Sequence, residues 1–249
     1  MRILFLGDLH CGHYTGLTPP DWWHNDFTVV QKPLWKWYVK TLKEIGKVDV
    51  AVINGDAVDG EGKKGTLGHI TTNTEKQGEI AIECIDQIKT DKHFFTYGTA
   101  FHVTGTYDYE NKVAQNYNAL IKETLMLSFK GHKFNIRHHG GRSDTPYGQG
   151  TQIFKEAIRD LINAQHNEYQ DAQFVVRSHV HYYYMTQNAT KTAISLPCLQ
   201  VSESVFGRKC RPMFYDLGLV VAEIGKDVVF SKHIMRINRV LNKDYLCVK

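Results

Sequence analysis

Two stretches decide how this chain is read: Arg2-Ile3-Leu4-Phe5-Leu6-Gly7-Asp8-Leu9-His10, and Val48-Asp49-Val50-Ala51-Val52-Ile53-Asn54-Gly55-Asp56-Ala57-Val58-Asp59. In each, a short apolar run halts at Gly-Asp, as expected of a buried strand whose carboxyl end opens onto polar chemistry. Working outward, Pro33–Ile45 sets Leu34, Trp37, Tyr38, Thr41, Leu42 and Ile45 at helical spacing, and Lys76–Ile88 does so with Ile80, Ile82, Ile85 and Ile88. His93–Tyr97 reads as a third strand, Tyr109–Thr124 as a helix, and Lys133–His138 as a strand stopped by Gly140-Gly141. Gln149–Ala164 reads as a helix with Ile153, Phe154, Ala157, Ile158 and Leu161 on a core-facing side, and Phe174–Val176 as a strand ending in Ser178-His179. Beyond residue 190 the helical spacing vanishes, and Thr192–Leu196, Leu217–Ile224 and Val228–Ile234 read as strands, the last two joined at Gly225-Lys226. Alternating strands and helices followed by a β-rich tail predict a layered α/β architecture, with sheet in the middle and helices outside.

Composition excludes several classes. Of 249 residues, 42% are apolar and 22% charged, which rules out disorder and collagen-like repeats. No repeat or Pro/Gly/Ser-rich linker divides the chain, so a single domain over 1–249 is expected. The apolar run Ile3–Leu6 falls short of the roughly 7–15 residues of a secretory h-region, and no run approaches the roughly 18 needed to span a bilayer. A cytoplasmic location with no membrane partner is therefore expected. The net charge of +4 permits an anionic substrate without demanding nucleic acid. The five cysteines, Cys11, Cys84, Cys198, Cys210 and Cys247, are widely spaced and contain no CxxC, so neither a disulfide framework nor a thiolate zinc site follows.

Histidine is the informative residue, with thirteen in the chain. Ligands in open α/β sheets collect at the carboxyl ends of strands. Here those ends read Gly7-Asp8-Leu9-His10, Gly55-Asp56-Ala57-Val58-Asp59, Gly98-Thr99-Ala100-Phe101-His102, His138-His139-Gly140 and Ser178-His179-Val180-His181. In an extended segment, residues two apart point to one side, so Asp8/His10 and His179/His181 can each converge. Mixed imidazole and carboxylate ligands suit Mn, Fe or Zn better than Mg or Ca. The set is too large for one tetrahedral ion, whereas two ions about 3.5–4 Å apart, bridged by a carboxylate, would use it.

The ordered motifs Asp8-x-His10, Gly55-Asp56-x-x-Asp59 and His179-x-His181 resemble the calcineurin-like metallophosphoesterase superfamily over roughly residues 1–185. The texture also resembles phosphoesterases encoded in bacteriophage genomes. The resemblance implies an α/β/β/α sandwich with two central mixed sheets and flanking helices. It implies that Asp8, His10 and His181 bind a first metal, that Asp56 bridges, and that His138 and His179 bind a second. The superfamily also draws a ligand from the Asn of a Gly-Asn-His-Asp/Glu motif whose His assists the leaving group. This sequence departs there. Of Gly98-Thr99-Ala100-Phe101-His102 and Gly105-Thr106-Tyr107-Asp108, the first ends a strand, which puts Thr99 in the place of Asn and His102 in that of the catalytic imidazole. His138 and His139 are neighbours, so only one can face the metals. His138 is preferred because it ends the alternating run Phe134, Ile136, which leaves His139 to the outer shell.

The function so implied is hydrolysis of phosphate mono- or diesters at a dinuclear centre of two divalent ions, manganese first, with Fe, Zn, Ni or Co as alternatives. A metal-bridging hydroxide would attack phosphorus in line, the metals and His179 would offset the developing charge, and His102 would protonate the leaving alkoxide. The expected partner is a phosphate ester, with nucleotides and nucleic acid included. A catalytically weak relative that only binds phosphate or nucleic acid is the alternative, supported by the missing Asn. Arg177 is a substrate-phosphate candidate or, equally, a solvated edge charge. Asp59 is an outer-shell or turn residue rather than a ligand. His13, His24, His69 and His132 are surface or core histidines, and Arg208-Lys209-Cys210-Arg211 reads as a solvated basic cluster.

Overall fold

In the computed structural model, which describes residues 1–61, 68–100, 108–143, 145–166, 171–201 and 215–236, the first apolar run forms strand β1 (Arg2–Leu6). It is followed by α1 (Thr28–Ile45), β2 (Val50–Asn54), α2 (Thr74–Ile85), β3 (His93–Thr96), α3 (Tyr109–Asn116), β4 (Leu120–Lys122), β5 (Thr124–Phe129) and β6 (His132–Arg137). Then come α4 (Pro146–Gln165), β7 (Phe174–Arg177), β8 (Tyr184–Gln187), β9 (Thr192–Ser195), β10 (Gly218–Ile224) and β11 (Val228–Ile234). One mixed sheet has the order β11-β10-β1-β2-β3-β4, the other β5-β6-β7-β9-β8. In the first, β1 through β4 run parallel and β10 returns antiparallel beside β1. In the second, β6, β7 and β9 are parallel, with β5 and β8 antiparallel at the edges.

Strand periodicity explains the layering. Successive side chains leave opposite faces of a sheet. On β1, Ile3 and Phe5 join Val50, Val52, Phe134, Ile136, Val176 and Ile194 in a core between the two sheets. Leu4 and Leu6 instead join Ala51, Ile53 and Phe95 against Leu34, Tyr38, Leu42, Ile80 and Ile85 of α1 and α2. Helix α4 covers the outer face of the second sheet through Ile153 and Ala157 on Val175 and Ala193. The result is the expected α/β/β/α sandwich with two central mixed sheets. Among the described residues no helix is long and apolar enough to cross a membrane.

Several boundaries differ from the sequence reading. The helix expected over Tyr109–Thr124 stops at Asn116, and two strands follow. Asn118 takes a left-handed φ of 47°, with Asn118 N–H on Gln115 O at 2.9 Å and Ala119 N–H on Ala114 O at 3.0 Å. This is the Schellman arrangement, which terminates a helix whatever the apolar spacing beyond it. Helix α1 begins at Thr28, ahead of Pro33, and α2 begins at Thr74, where the Asn73 side chain accepts from Glu75 N and Lys76 N.

The stripe expected on α4 is also rotated. Ile158 and Leu161 are exposed, and Glu156 and Asp160 are buried in their place. The cause is the sheet beneath, which presents Arg177, Asn135 and Lys191. Glu156 meets Arg177 at 3.2 Å, and Asp160 meets Asn135 at 2.6 Å and Lys191 at 2.7 Å. Buried charges persist only when paired.

Candidate metal centre

The carboxyl ends of β1, β2, β6 and β7 meet at one edge of the sandwich, where backbone bonds tie their loops together. Asp8 N–H donates to Gly55 O at 3.0 Å and His10 N–H to Asp56 O at 3.0 Å. Ser178 N–H donates to His138 O at 2.8 Å and Leu199 N–H to Asp8 O at 3.0 Å. Beneath them Asn54 is fully buried and satisfied: its amide donates to Ser178 Oγ at 2.7 Å and its carbonyl accepts from Thr96 Oγ1 at 2.8 Å.

Two groups of ligand atoms result. Asp8, His10 and His181 form one, Asp56, His138 and His179 the other, and in each the three atoms lie within 4.8 Å of one another. His181 Nε2 is 3.3 Å from Asp8 Oδ1 and 3.2 Å from His10 Nε2. His138 Nε2 is 3.0 Å from Asp56 Oδ2 and 3.8 Å from Asp8 Oδ1, which places the two groups side by side.

The convergence does not come from extended alternation, as the spacing predicts. Asp8, His10, Asp56, His179 and His181 all adopt left-handed φ values, of 52°, 47°, 50°, 72° and 61°. Such conformations cost of order 1–3 kcal/mol each and cluster where function over-determines the backbone. Close approach is needed as well. A Cβ on Gly55, itself at φ 74°, would lie 2.5 Å from the His138 ring, so only glycine lets His138 stack against that turn.

The donors suit a cation. His138 Nδ1 sits 2.7 Å from Asn54 O and must donate to it, which leaves the Nε2 lone pair facing two carboxylates. That Nε2 and Asp8 Oδ1 are buried with no hydrogen-bond partner among the described residues. Acceptor atoms gathered in this way repel one another unless positive charge lies among them. The electrostatics agree. Burial opposes charge on His138, yet Asp56 and Asp8 push it up to about 10. Burial also opposes ionisation of Asp8, yet His181 and His138 hold its carboxyl below the usual range. His179, desolvated and beside His138, is brought down to about 4. These two residue groups thus fit divalent metal by donor type, burial and charge.

Thr99, the residue expected to stand in for the superfamily's Asn, sits against the Asp56 carboxylate. Its N–H donates to Asp56 Oδ1 at 2.8 Å, and its Oγ1 is 3.4 and 3.5 Å from the two Asp56 oxygens. His139 is exposed and stacks on His179 with ring centroids 4.8 Å apart. His102 and the cluster Arg208–Arg211 lie outside the described residues.

Arg177 is a correction. It is 4% exposed and lies under α4, its Nε on Glu156 Oε2 at 3.2 Å and its Nη1 on Asn135 O and Oδ1 at 3.1 and 3.0 Å. Its Nε and Nη1 are committed to Glu156 and Asn135 beneath α4, so it is neither a phosphate contact nor a solvated edge charge. Its role is to dock α4. Glu156→Ala would leave that guanidinium buried and unpaired, and chemical denaturation should register a loss of about 3–5 kcal/mol.

Two groups escape the sequence reading. Glu110, in the first turn of α3, is buried and accepts from Ala57 N at 3.0 Å and Gly98 N at 2.6 Å, clamping the loops that carry Asp56 and Thr99. Burial, and then the Asp56 charge, raise it to about 7. No local pattern marks it, since a Glu in a first helical turn is ordinary. His69 is the second. Asp59, the expected outer-shell residue, accepts from His10 Nδ1 at 2.9 Å and from His69 Nε2 at 2.7 Å.

The fold and these sites define a class. An archaeal phosphodiesterase matches with a TM-score of 0.51 at 11% identity, over 94% of this chain and 100% of that one. A single mutant of Vps29 from Entamoeba histolytica matches with 0.50 at 11% identity, over 95% and 100%. A conserved protein from Streptococcus pneumoniae, described as a predicted phosphoesterase, matches with 0.42 at 12% identity, over 94% and 97%. No family model matches the sequence, and no curated protein does so. The chain has the fold of the calcineurin-like metallophosphoesterases, and it carries two groups of residues suited to divalent metal at the sheet ends.

Proposed function

We propose that the protein is a metal-dependent phosphoesterase acting on phosphate mono- or diesters, nucleotide and nucleic-acid esters among them, with 1–249 as one catalytic domain. The observation that carries this reading is the pair of adjacent ligand groups, Asp8/His10/His181 and Asp56/His138/His179, with buried Asp8 Oδ1 and His138 Nε2 that have no hydrogen-bond partner among the described residues. Two divalent ions held there, manganese first, would supply Lewis-acid charge to phosphoryl oxygens and a lowered pKa to water.

The chain's own groups hold and shape that charge. Asp56, lying against His138 and linked through it to Asp8, would be the carboxylate shared by the two ions. Thr99 N–H restrains one Asp56 oxygen and leaves the other toward His138. His179 adds an imidazole next to the exposed His139, on the side open to substrate. His102 is the residue assigned to protonate the leaving alkoxide.

A second reading, a metal-holding protein that binds phosphate without turnover, is favoured by Thr99, whose hydroxyl leans on Asp56 rather than standing free as a ligand. Assay of p-nitrophenyl phosphate and its bis ester with Mn²⁺ separates the two. Turnover of at least one ester, abolished by EDTA and restored by Mn²⁺, is the expected result. Two bound ions without hydrolysis of either would establish the second reading instead.

A further inference from the structure

We propose that His69 is a positioning residue for the metal ligand His10, acting through Asp59. The proposal rests on reading Asp8, His10 and His181 as a metal group. An ionised carboxylate can only accept. Asp59, buried and bonded at one oxygen to His10 Nδ1 and at the other to His69 Nε2, therefore makes both nitrogens donors. His10 is then held as the tautomer whose Nε2 lone pair faces Asp8 and His181. Removing His69 frees one Asp59 oxygen to rotate away from His10.

The placement of His69 is built rather than incidental. Tyr14 N–H donates to Gly68 O at 2.7 Å and Ile70 N–H to Gly12 O at 2.8 Å, while His13 and His69 pair as an isolated bridge. Residues 68–70 are thus pinned to the loop that leaves β1 just past His10. Gly68, at φ 106°, admits the His13 ring, with a would-be Cβ 2.5 Å from its Nε2. The His13 and His69 rings meet edge to face with centroids 6.1 Å apart. His69 Nδ1 is buried with no hydrogen-bond partner among the described residues, so the contact with Asp59 is the polar bond its position serves. The ring is turned so that its Nε2 meets, at 2.7 Å, the carboxylate that orients a ligand, a geometry that packing alone does not require.

Outer-shell partners of this kind typically change metal affinity by about 10–100-fold. The test is titration of the metal-free full chain with Mn²⁺ by calorimetry, together with thermal melts, for wild type, His69→Ala and His69→Gln. Wild type is expected to bind two ions. His69→Ala should weaken one of them by about 10–100-fold and leave the other within about twofold. His69→Gln, whose amide can still donate to Asp59, should recover most of the loss. Unchanged affinities for both ions in His69→Ala would overturn the proposal. So would equal weakening of both ions, tracking a lowered melting temperature and not relieved by Gln, because that is a folding effect. Wild type binding no Mn²⁺ would remove the metal reading itself, and this inference with it.

Discussion

Asp56→Asn is expected to lower kcat/KM for p-nitrophenyl phosphate esters at least about a hundredfold while leaving the fold intact. Loss of an outer-shell partner already costs about 10–100-fold, so loss of charge on the proposed bridging ligand should cost no less. Asn fits the site in shape. It tolerates the left-handed φ of 50° that Asp56 adopts, and its carbonyl can accept from Thr99 N as Asp56 Oδ1 does at 2.8 Å. What it lacks is the negative charge that faces His138 Nε2. The same change removes one of three buried carboxylates, Asp8, Asp56 and Glu110, whose charges oppose one another. It also removes the charge paired with His138 at 3.0 Å, so the two effects oppose one another and the metal-free variant should melt near the wild-type temperature. Melting curves and steady-state rates on one preparation check both halves, and an unchanged rate would refute the bridging role.

Gly98→Ala is expected to disable the centre by a different route. A Cβ there would sit 2.0 Å from Asp56 Oδ1 and 2.5 Å from Asp56 N. Gly98 cannot back away, since its N–H is held by Glu110 Oε2 at 2.6 Å. Overpacking of this kind costs about 1–3 kcal/mol, and here the atoms displaced are the carboxylate and backbone of Asp56, the proposed bridging ligand. Metal affinity should therefore fall together with stability. Gly78→Ala is the control. Gly78 lies in α2, where a Cβ would meet Val113 at an ordinary 3.7 Å, and the change should stabilise by about 0.4–1 kcal/mol. Denaturation midpoints and Mn²⁺ titrations of the two variants should diverge in sign, and parallel behaviour would show that Gly98 carries no special constraint.

The amino-acid sequence by itself determined the strands that bear the site and the chemistry at their ends. Both are local properties. An apolar run such as Ile3–Leu6 or Val50–Ile53 declares a buried strand, and Gly-Asp or His-x-His beyond it declares the ligand type. The end of α3 after Asn116 was equally local. It lay in a left-handed capping residue that apolar spacing obscured.

Tertiary structure alone decided what depends on partners distant along the chain. That His138 meets Asp56, at 3.0 Å beside the Gly55 turn, depends on how the second sheet lies against the first, which the alternation Phe134, Ile136, His138 does not specify. Arg177 is claimed by Glu156, so its positive charge docks a helix instead of meeting phosphate. Glu110 and His69 gain their meaning from Gly98, Ala57 and Asp59, which the fold brings to them. Residue type sets what a side chain can bond, but only packing sets which bonds are left for a ligand once the interior has taken its own.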